Sequence, residues 1–226
     1  MTTLFLDLET LPLESSLAAP YPDADRLPPS NYKNADAIAS WREKDKAAWQ
    51  EQRAKECSLT PRLGRVLALS YAVDDGDVQV RLAQTEHEEV LLLDAAWELI
   101  EDADRIVTFN GNFDLRFIAV RSIVHRIRPH ANVGKVTDWF RRYSTYPHFD
   151  CRAVLTGWDD KVSGKLTEWC ATFGIACDDP TTGADVMNMA LAGDWAGITR
   201  HGHSDVTLTR ELYKAIAPLF DRSAAA

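Results

Sequence analysis

Leu4-Phe5-Leu6-Asp7-Leu8-Glu9-Thr10 alternates with a period of two residues. As a strand it places Leu4, Leu6 and Leu8 on one face and Phe5, Asp7 and Glu9 on the other. The Cα atoms of Asp7 and Glu9 are then roughly 6–7 Å apart. Two carboxylates on one face of an apolar strand repel each other and lose solvation. A divalent cation between them removes both penalties, and Mg²⁺ or Mn²⁺ suits carboxylate oxygens. An isolated Asp-x-Glu has a plainer reading, an edge strand whose acidic side faces water. Two further acids in matching contexts downstream argue for the cation.

The remaining features bound the class of protein. With 226 residues and 46% hydrophobic content, the chain can bury one sizeable core, so a single domain over residues 1–226 is expected. The net charge of −9 excludes nucleic-acid binding by bulk charge alone. It leaves room for a carboxylate-rich enzyme with a locally basic substrate track. Cys57, Cys151, Cys170 and Cys177 form no Cys-x-x-Cys pair and no zinc-spaced cluster, and read as reduced thiols. Neither a secretory leader nor an apolar run long enough for a bilayer is seen, so a cytoplasmic protein without membrane contact is expected.

Along the chain, residues 11–61 are rich in Pro, Ala, Asp and Lys, with Pro12, Pro20, Pro22, Pro28 and Pro29 in the first half. They read as an insertion or flap, with an exposed helix over Ala35–Cys57 anchored by Trp41 and Trp49. Gly64–Val73 reads as a buried strand, Asp74–Asp77 as a turn and Val78–Leu82 as its hairpin partner. Together with the first strand these give three adjacent antiparallel strands. His87–Asp102 is an amphipathic helix with Val90, Leu91, Ala95, Trp97, Leu99 and Ile100 as its apolar residues. Arg105–Phe109 is a fourth strand, and Asp114 follows where it hands over to a helix through His125. Phe149–Leu155 is a strand-to-helix transition containing Asp150. Helices are expected over Gly164–Phe173, capped by Gly174, and over Gly183–Leu191, where the Met pair is core packing. Trp195–Ile198 is a short turn before the last helix, which His201–Asp205 opens. Ser223–Ala226 is a loose tail.

Arg116 to Arg142 is the basic part of the chain. Arg116, Arg121, Arg126, Arg128, Lys135, Arg141 and Arg142 stand there against one acid, Asp138, interleaved with Trp139, Phe140 and Tyr143. Two readings are open: a solvated helix face with a loop, or a phosphate track with stacking aromatics.

Four acids then form a constellation: Asp7, Glu9, Asp114 and Asp205. A mixed α/β fold can bring their three elements to one sheet edge. Such a cluster is strongly destabilising without metal. Two divalent ions about 3.5–4 Å apart neutralise it and support an in-line phosphoryl displacement, one activating a water and the other steadying the leaving oxygen.

Three segments now resemble a known family. Phe5–Thr10 is similar to the first motif of the DEDD 3′–5′ exonucleases and Thr108-Phe109-Asn110-Gly111-Asn112-Phe113-Asp114 to the second. His201-Gly202-His203-Ser204-Asp205-Val206 sits where the third is expected. The branch resembled is the proofreading exonucleases related to family B DNA polymerases, including stand-alone phage and bacterial forms. As there, Gly164–Glu168 (Gly-Lys-Leu-x-Glu) and then Gly183–Val186 (Gly-x-x-Val) precede the third motif. Arg65–Tyr71 fits the second strand. The likeness covers most of the chain except residues 11–61.

The resemblance implies an α/β, ribonuclease H-like fold with a central mixed sheet flanked by helices. It implies two Mg²⁺ or Mn²⁺ ions, with Asp7 bridging both. Glu9 and Asp205 would hold the ion that carries the nucleophilic water, and Asp114 would serve the other. Asn110 and Phe113 would touch the terminal nucleotides, and Leu8 and Thr10 would line the 3′ end. The implied activity releases nucleoside 5′-monophosphates from the 3′ end of single-stranded DNA, with any replication or repair partner left unspecified. An exoribonuclease, an impaired nucleic-acid-binding module or hydrolysis of another phosphodiester are the alternatives.

One position departs from the family. The proofreading branch carries Tyr four residues before the last Asp, and another branch carries His five before it. Here His201 is fourth-before and Arg200 fifth-before. On an unbroken helix His201 shares a face with Asp205. If Gly202 interrupts the helix and Ser204 caps a later start, His203 reaches in instead. Placement beside Asp205 favours His201 as the catalytic imidazole, with His203 as the alternative; an imidazole can accept a proton near neutral pH where Tyr mainly orients.

Overall fold

A computed structural model of the chain describes residues 1–18, 27–44, 46–129, 136–159 and 161–220. Pro20, Pro22, Lys135 and the 223–226 tail lie outside the described residues. Five strands form one mixed sheet: β1 (Thr3–Pro12), β2 (Gly64–Val73), β3 (Gln79–Leu82), β4 (Arg105–Thr108) and β5 (His148–Asp150), in the order β3-β2-β1-β4-β5. β1, β2 and β3 pair antiparallel, while β4 and β5 run parallel to β1. The expected α/β fold with a central mixed sheet is present. The edge-strand reading of the opening stretch is not: β1 is the middle strand, with neighbours along both sides. Its acidic residues therefore face packed structure.

Alternation along β1 divides the core as its sequence dictates. Leu4, Leu6 and Leu8 pack on one face of the sheet against helices α4 (Glu89–Glu101) and α5 (Gly111–His125). Phe5 faces the other layer, with Val107 and Phe149. That layer is built by α6 (Cys151–Leu155), α7 (Leu166–Thr172) and the long α9 (Trp195–Phe220). The short α8 (Val186–Ala192) packs Val186, Met189 and Ala190 against Leu67 and Ala68 of β2. Of the Met pair, Met189 thus joins this cluster.

Several helices differ from their sequence reading. The insertion contains α1 (Glu14–Ala18), α2 (Ala35–Lys44) and α3 (Lys46–Ser58) in place of one long helix. α2 buries none of its residues, and Trp41 and Trp49 are only half-buried. Ala54 and Cys57 are what seat α3 against β1, because small side chains allow close approach to a strand. On α4 the buried stripe is Leu92, Leu93, Ala96, Trp97 and Ile100, whereas Leu91 is 67% exposed. α9 begins at Trp195, so the expected turn at 195–198 is its first turn. Gly202 does not break it. A Cβ at Gly202 would run into the Ser70 hydroxyl, so glycine there permits α9 to lie close on β2. No helix among the described residues is long and apolar enough to cross a membrane.

Sequence reading missed Glu89, which is 0% exposed in the α4–α5–β2 interface. Its carboxylate accepts Arg121 Nη2 at 2.7 Å and the Val66 backbone N–H at 2.7 Å, and meets His125 Nε2 at 2.7 Å. Arg121 is therefore an internal partner, not part of a phosphate track. Removing one member of a buried pair strands the other. Glu89→Ala is expected to cost ~3–5 kcal/mol in urea unfolding. A loss of under about 1 kcal/mol, the range of an exposed pair, would show that water reaches Arg121.

Candidate metal centre

Topology brings the acids together. β4 pairs with β1 through Phe5↔Val107 and ends at Thr108, so Asp7 and Glu9 extend past it, beside the β4–α5 connection. That connection turns sharply at Gly111, where a Cβ would strike the His148 ring and Thr108 Oγ1. Asp114 consequently lies in the first turn of α5, 3% exposed, where its Oδ1 accepts the Leu8 backbone N–H at 3.0 Å. The helix N-terminus further favours a carboxylate there. Asp205 arrives from the opposite layer on α9.

The charges of Asp114, Asp205 and Glu9 all act on Asp7. Burial pushes Asp7 well above the usual carboxylate range, and Asp114, Asp205 and Glu9 push it further. Burial is also the main cause that raises Glu9 from 4.5 to about 7, with His201 opposing and Asp205 adding. Asp114 is lifted well above its ordinary value by burial, against the N–H groups that hold it, with Asp150 and Glu9 contributing. Asp205 is raised by burial, with His201 opposing and Asp179 adding. Asp7 Oδ2 is buried with no hydrogen-bond partner among the described residues.

His201 completes the cluster. It is 3% exposed, with Nε2 3.2 Å from Glu9 Oε1 and 3.8 Å from Asp205 Oδ2. Ligand atoms of Glu9, His201 and Asp205 all lie within 4.8 Å of one another. Because α9 is continuous, His201 and Asp205 share a face, while His203 is exposed. The partly buried acids, the orphaned oxygen of Asp7 and the converging imidazole form a donor set suited to divalent cations.

Of the residues expected near the 3′ end, Leu8 points its side chain into the opposite core and enters the site only through its N–H. Thr10 follows a register shift at Glu9/Thr10, and its hydroxyl donates to the Ser58 carbonyl at 2.7 Å. Asn110 and Phe113 are half-buried. Asn110 Oδ1 accepts from Arg152 at 3.4 Å, and Phe113 packs against Phe117 with centroids 4.9 Å apart and the rings tilted by 50°.

Two acids were not foreseen as site residues. Asp150 caps α6, accepting the Ala153 N–H at 2.9 Å, and sits beside Asp114. Asp179, from the loop between α7 and α8, meets His201 Nδ1 at 3.0 Å. Position 150 was visible as a strand end. No spacing rule ties 179 to 201, since the contact is made by a loop of irregular geometry.

Residues 59–220 match a family described as a predicted 3′–5′ exonuclease related to the exonuclease domain of PolB. The chain belongs to that family. Its match spans Asp114, His201 and Asp205, whereas Asp7 and Glu9 precede it. Among relatives of this predicted exonuclease is the uncharacterised protein MJ0365 of Methanocaldococcus jannaschii, 26% identical over an alignment of 170 residues that covers 70% of this chain and 89% of that protein. The fold is also that of part of the family B DNA polymerase of Pyrobaculum calidifontis. The TM-score there is 0.58 at 18% identity, covering 100% of this chain and 27% of the polymerase. The chain thus spans little more than a quarter of that polymerase and shares its ribonuclease H-like architecture.

Proposed function

We propose that this chain removes nucleoside 5′-monophosphates from the 3′ end of single-stranded DNA, using two divalent ions held by Asp7, Glu9, Asp114 and Asp205. The observation that carries the reading is a convergence of acids from three separate elements: ligand atoms of Glu9, His201 and Asp205 lie within 4.8 Å of one another, Asp114 accepts the Leu8 N–H, and Asp7 Oδ2 is buried without a hydrogen-bond partner among the described residues. Divalent ions in such a site supply charge stabilisation to a phosphoryl group in transfer. The protein's part is positional. Asp7 lies within the electrostatic influence of all three other acids, Glu9 and Asp205 converge beside His201, and the Leu8 N–H holds Asp114 in place. Within the 11–61 insertion, α3 serves as a cover beside the 3′ end, a role supported by its packing on β1.

The strand's next phosphates would lie in a cavity of about 210 Å³ beside Asn110, lined by Arg141, Arg142, Arg152 and Trp158. Cations and an aromatic ring next to the acidic centre suit a backbone followed by a stacked base. Arg152→Ala is expected to raise KM for a DNA oligomer about tenfold, with kcat nearly unchanged, as for loss of one charge-assisted hydrogen bond. A fall in kcat at constant KM would move Arg152 out of the track.

The reading is tested with purified protein and DNA or RNA oligomers labelled at either end. Expected are immediate release of a 3′-labelled mononucleotide, a ladder from 5′-labelled DNA, arrest by chelator and slower attack on RNA. Faster attack on RNA would make it an exoribonuclease. Binding without cleavage in Mg²⁺ or Mn²⁺ would make it a binding module.

A further inference from the structure

The position where the proofreading branch carries Tyr is filled here by a buried imidazole whose ring is held through one nitrogen. Nδ1 meets Asp179 Oδ2 at 3.0 Å. Asp179 is itself held by the Thr181 N–H at 3.1 Å and by the Thr181 hydroxyl. That leaves Nε2 as the outward nitrogen. Nε2 is buried and makes no hydrogen bond among the described residues, although it faces Glu9 and Asp205.

We infer that His201 is a ligand, through Nε2, of the divalent cation held by Glu9 and Asp205, with Asp179 as its positioning residue, and that this site takes a first-row transition ion in preference to Mg²⁺. The inference rests on reading the acidic centre as a metal site. Ligands about 2.1 Å from one ion lie about 3.0 Å apart when adjacent and about 4.2 Å apart when opposite. The 3.2 and 3.8 Å separations fall within that range. A general base needs space for a water between itself and the ion, and Nε2 already stands among the carboxylate oxygens. A carboxylate on the other ring nitrogen is the usual support of a ligating histidine, since it fixes tautomer and orientation. Mg²⁺ favours oxygen donors alone, whereas imidazole suits transition ions.

The test uses the metal-free full chain, titrated calorimetrically with Mn²⁺ and with Mg²⁺, and pulsed EPR of the bound Mn²⁺. Wild-type protein is expected to bind Mn²⁺ at least about tenfold more tightly than Mg²⁺ and to show coupling to an imidazole nitrogen. His201→Gln should abolish that coupling and weaken Mn²⁺ by about 10–100-fold, an effect of the size seen on disturbing a metal's ligand shell. Mg²⁺ should change far less, because Gln offers an oxygen. Asp179→Asn should weaken Mn²⁺ by about tenfold. His203→Gln should leave the spectrum intact. A wild-type spectrum without nitrogen coupling, no Mn²⁺ binding, or equal losses for both ions would overturn the inference. If His201→Gln fails to fold, the wild-type spectrum and Asp179→Asn still decide. Nitrogen coupling without DNA cleavage would keep the ligand and remove the exonuclease reading. Cleavage without coupling would do the reverse.

Discussion

Asp7→Asn and Asp205→Ala are each expected to lower the release of 3′-terminal nucleotides by at least about 10³-fold, because stabilisation of several kcal/mol by bound ions is lost. The fold should survive both changes. The charges of Asp114, Asp205 and Glu9 all act on Asp7, so it is the residue whose loss disturbs the whole cluster. Asp7→Asn should also raise the melting temperature of the metal-free protein at neutral pH, since it removes a buried, self-repelling charge without removing volume. Activity on 3′-labelled DNA and thermal melts in chelator measure the two effects together. A wild-type rate in either variant would end the metal assignment. A lower melting temperature for metal-free Asp7→Asn would show that Asp7 holds the fold together by contacts the charge picture leaves out.

Metal-free protein should be less stable at pH 8 than at pH 5, the reverse of ordinary acid denaturation. Burial lifts Glu9 from 4.5 to about 7, so between those values the folded chain keeps a proton that the unfolded chain has released. Its stabilisation is complete below the unfolded pKa and is lost as pH rises, roughly 3 kcal/mol in all. Asp7, Asp114 and Asp205 are raised too and act in the same direction. His201, raised by Glu9 and the neighbouring aspartates against the effect of burial, loses its contribution in the same sense. Glu89 and Asp179, whose values are lowered, act only in more acidic solution. Added Mn²⁺ or Mg²⁺ binds the deprotonated set and should reverse the slope. Urea unfolding at both pH values, with chelator and with metal, reads this directly. Stability that rises from pH 5 to pH 8 without metal would mean that the acids are hydrated and well separated.

Sequence alone determined the identity of β1 and the sense of its faces, because a period of two needs only the backbone. It also determined the elements that carry Asp114 and Asp205, since a short apolar strand and a strongly periodic helix are local patterns, and the order of motifs that marks the family. Neighbouring structure decided the rest. Whether β1 was an edge or the middle strand depended on pairing with β2 and β4, which no local pattern records. Arg121 looked like a surface cation until α4 brought Glu89 against it. Gly202 left a helix break open in the sequence, but contact with Ser70 makes glycine the residue that fits inside α9. With that helix unbroken, His201 rather than His203 faces Glu9. Asp179 became visible only when a loop folded onto the ring, for a contact between segments 22 residues apart follows from packing and not from periodicity.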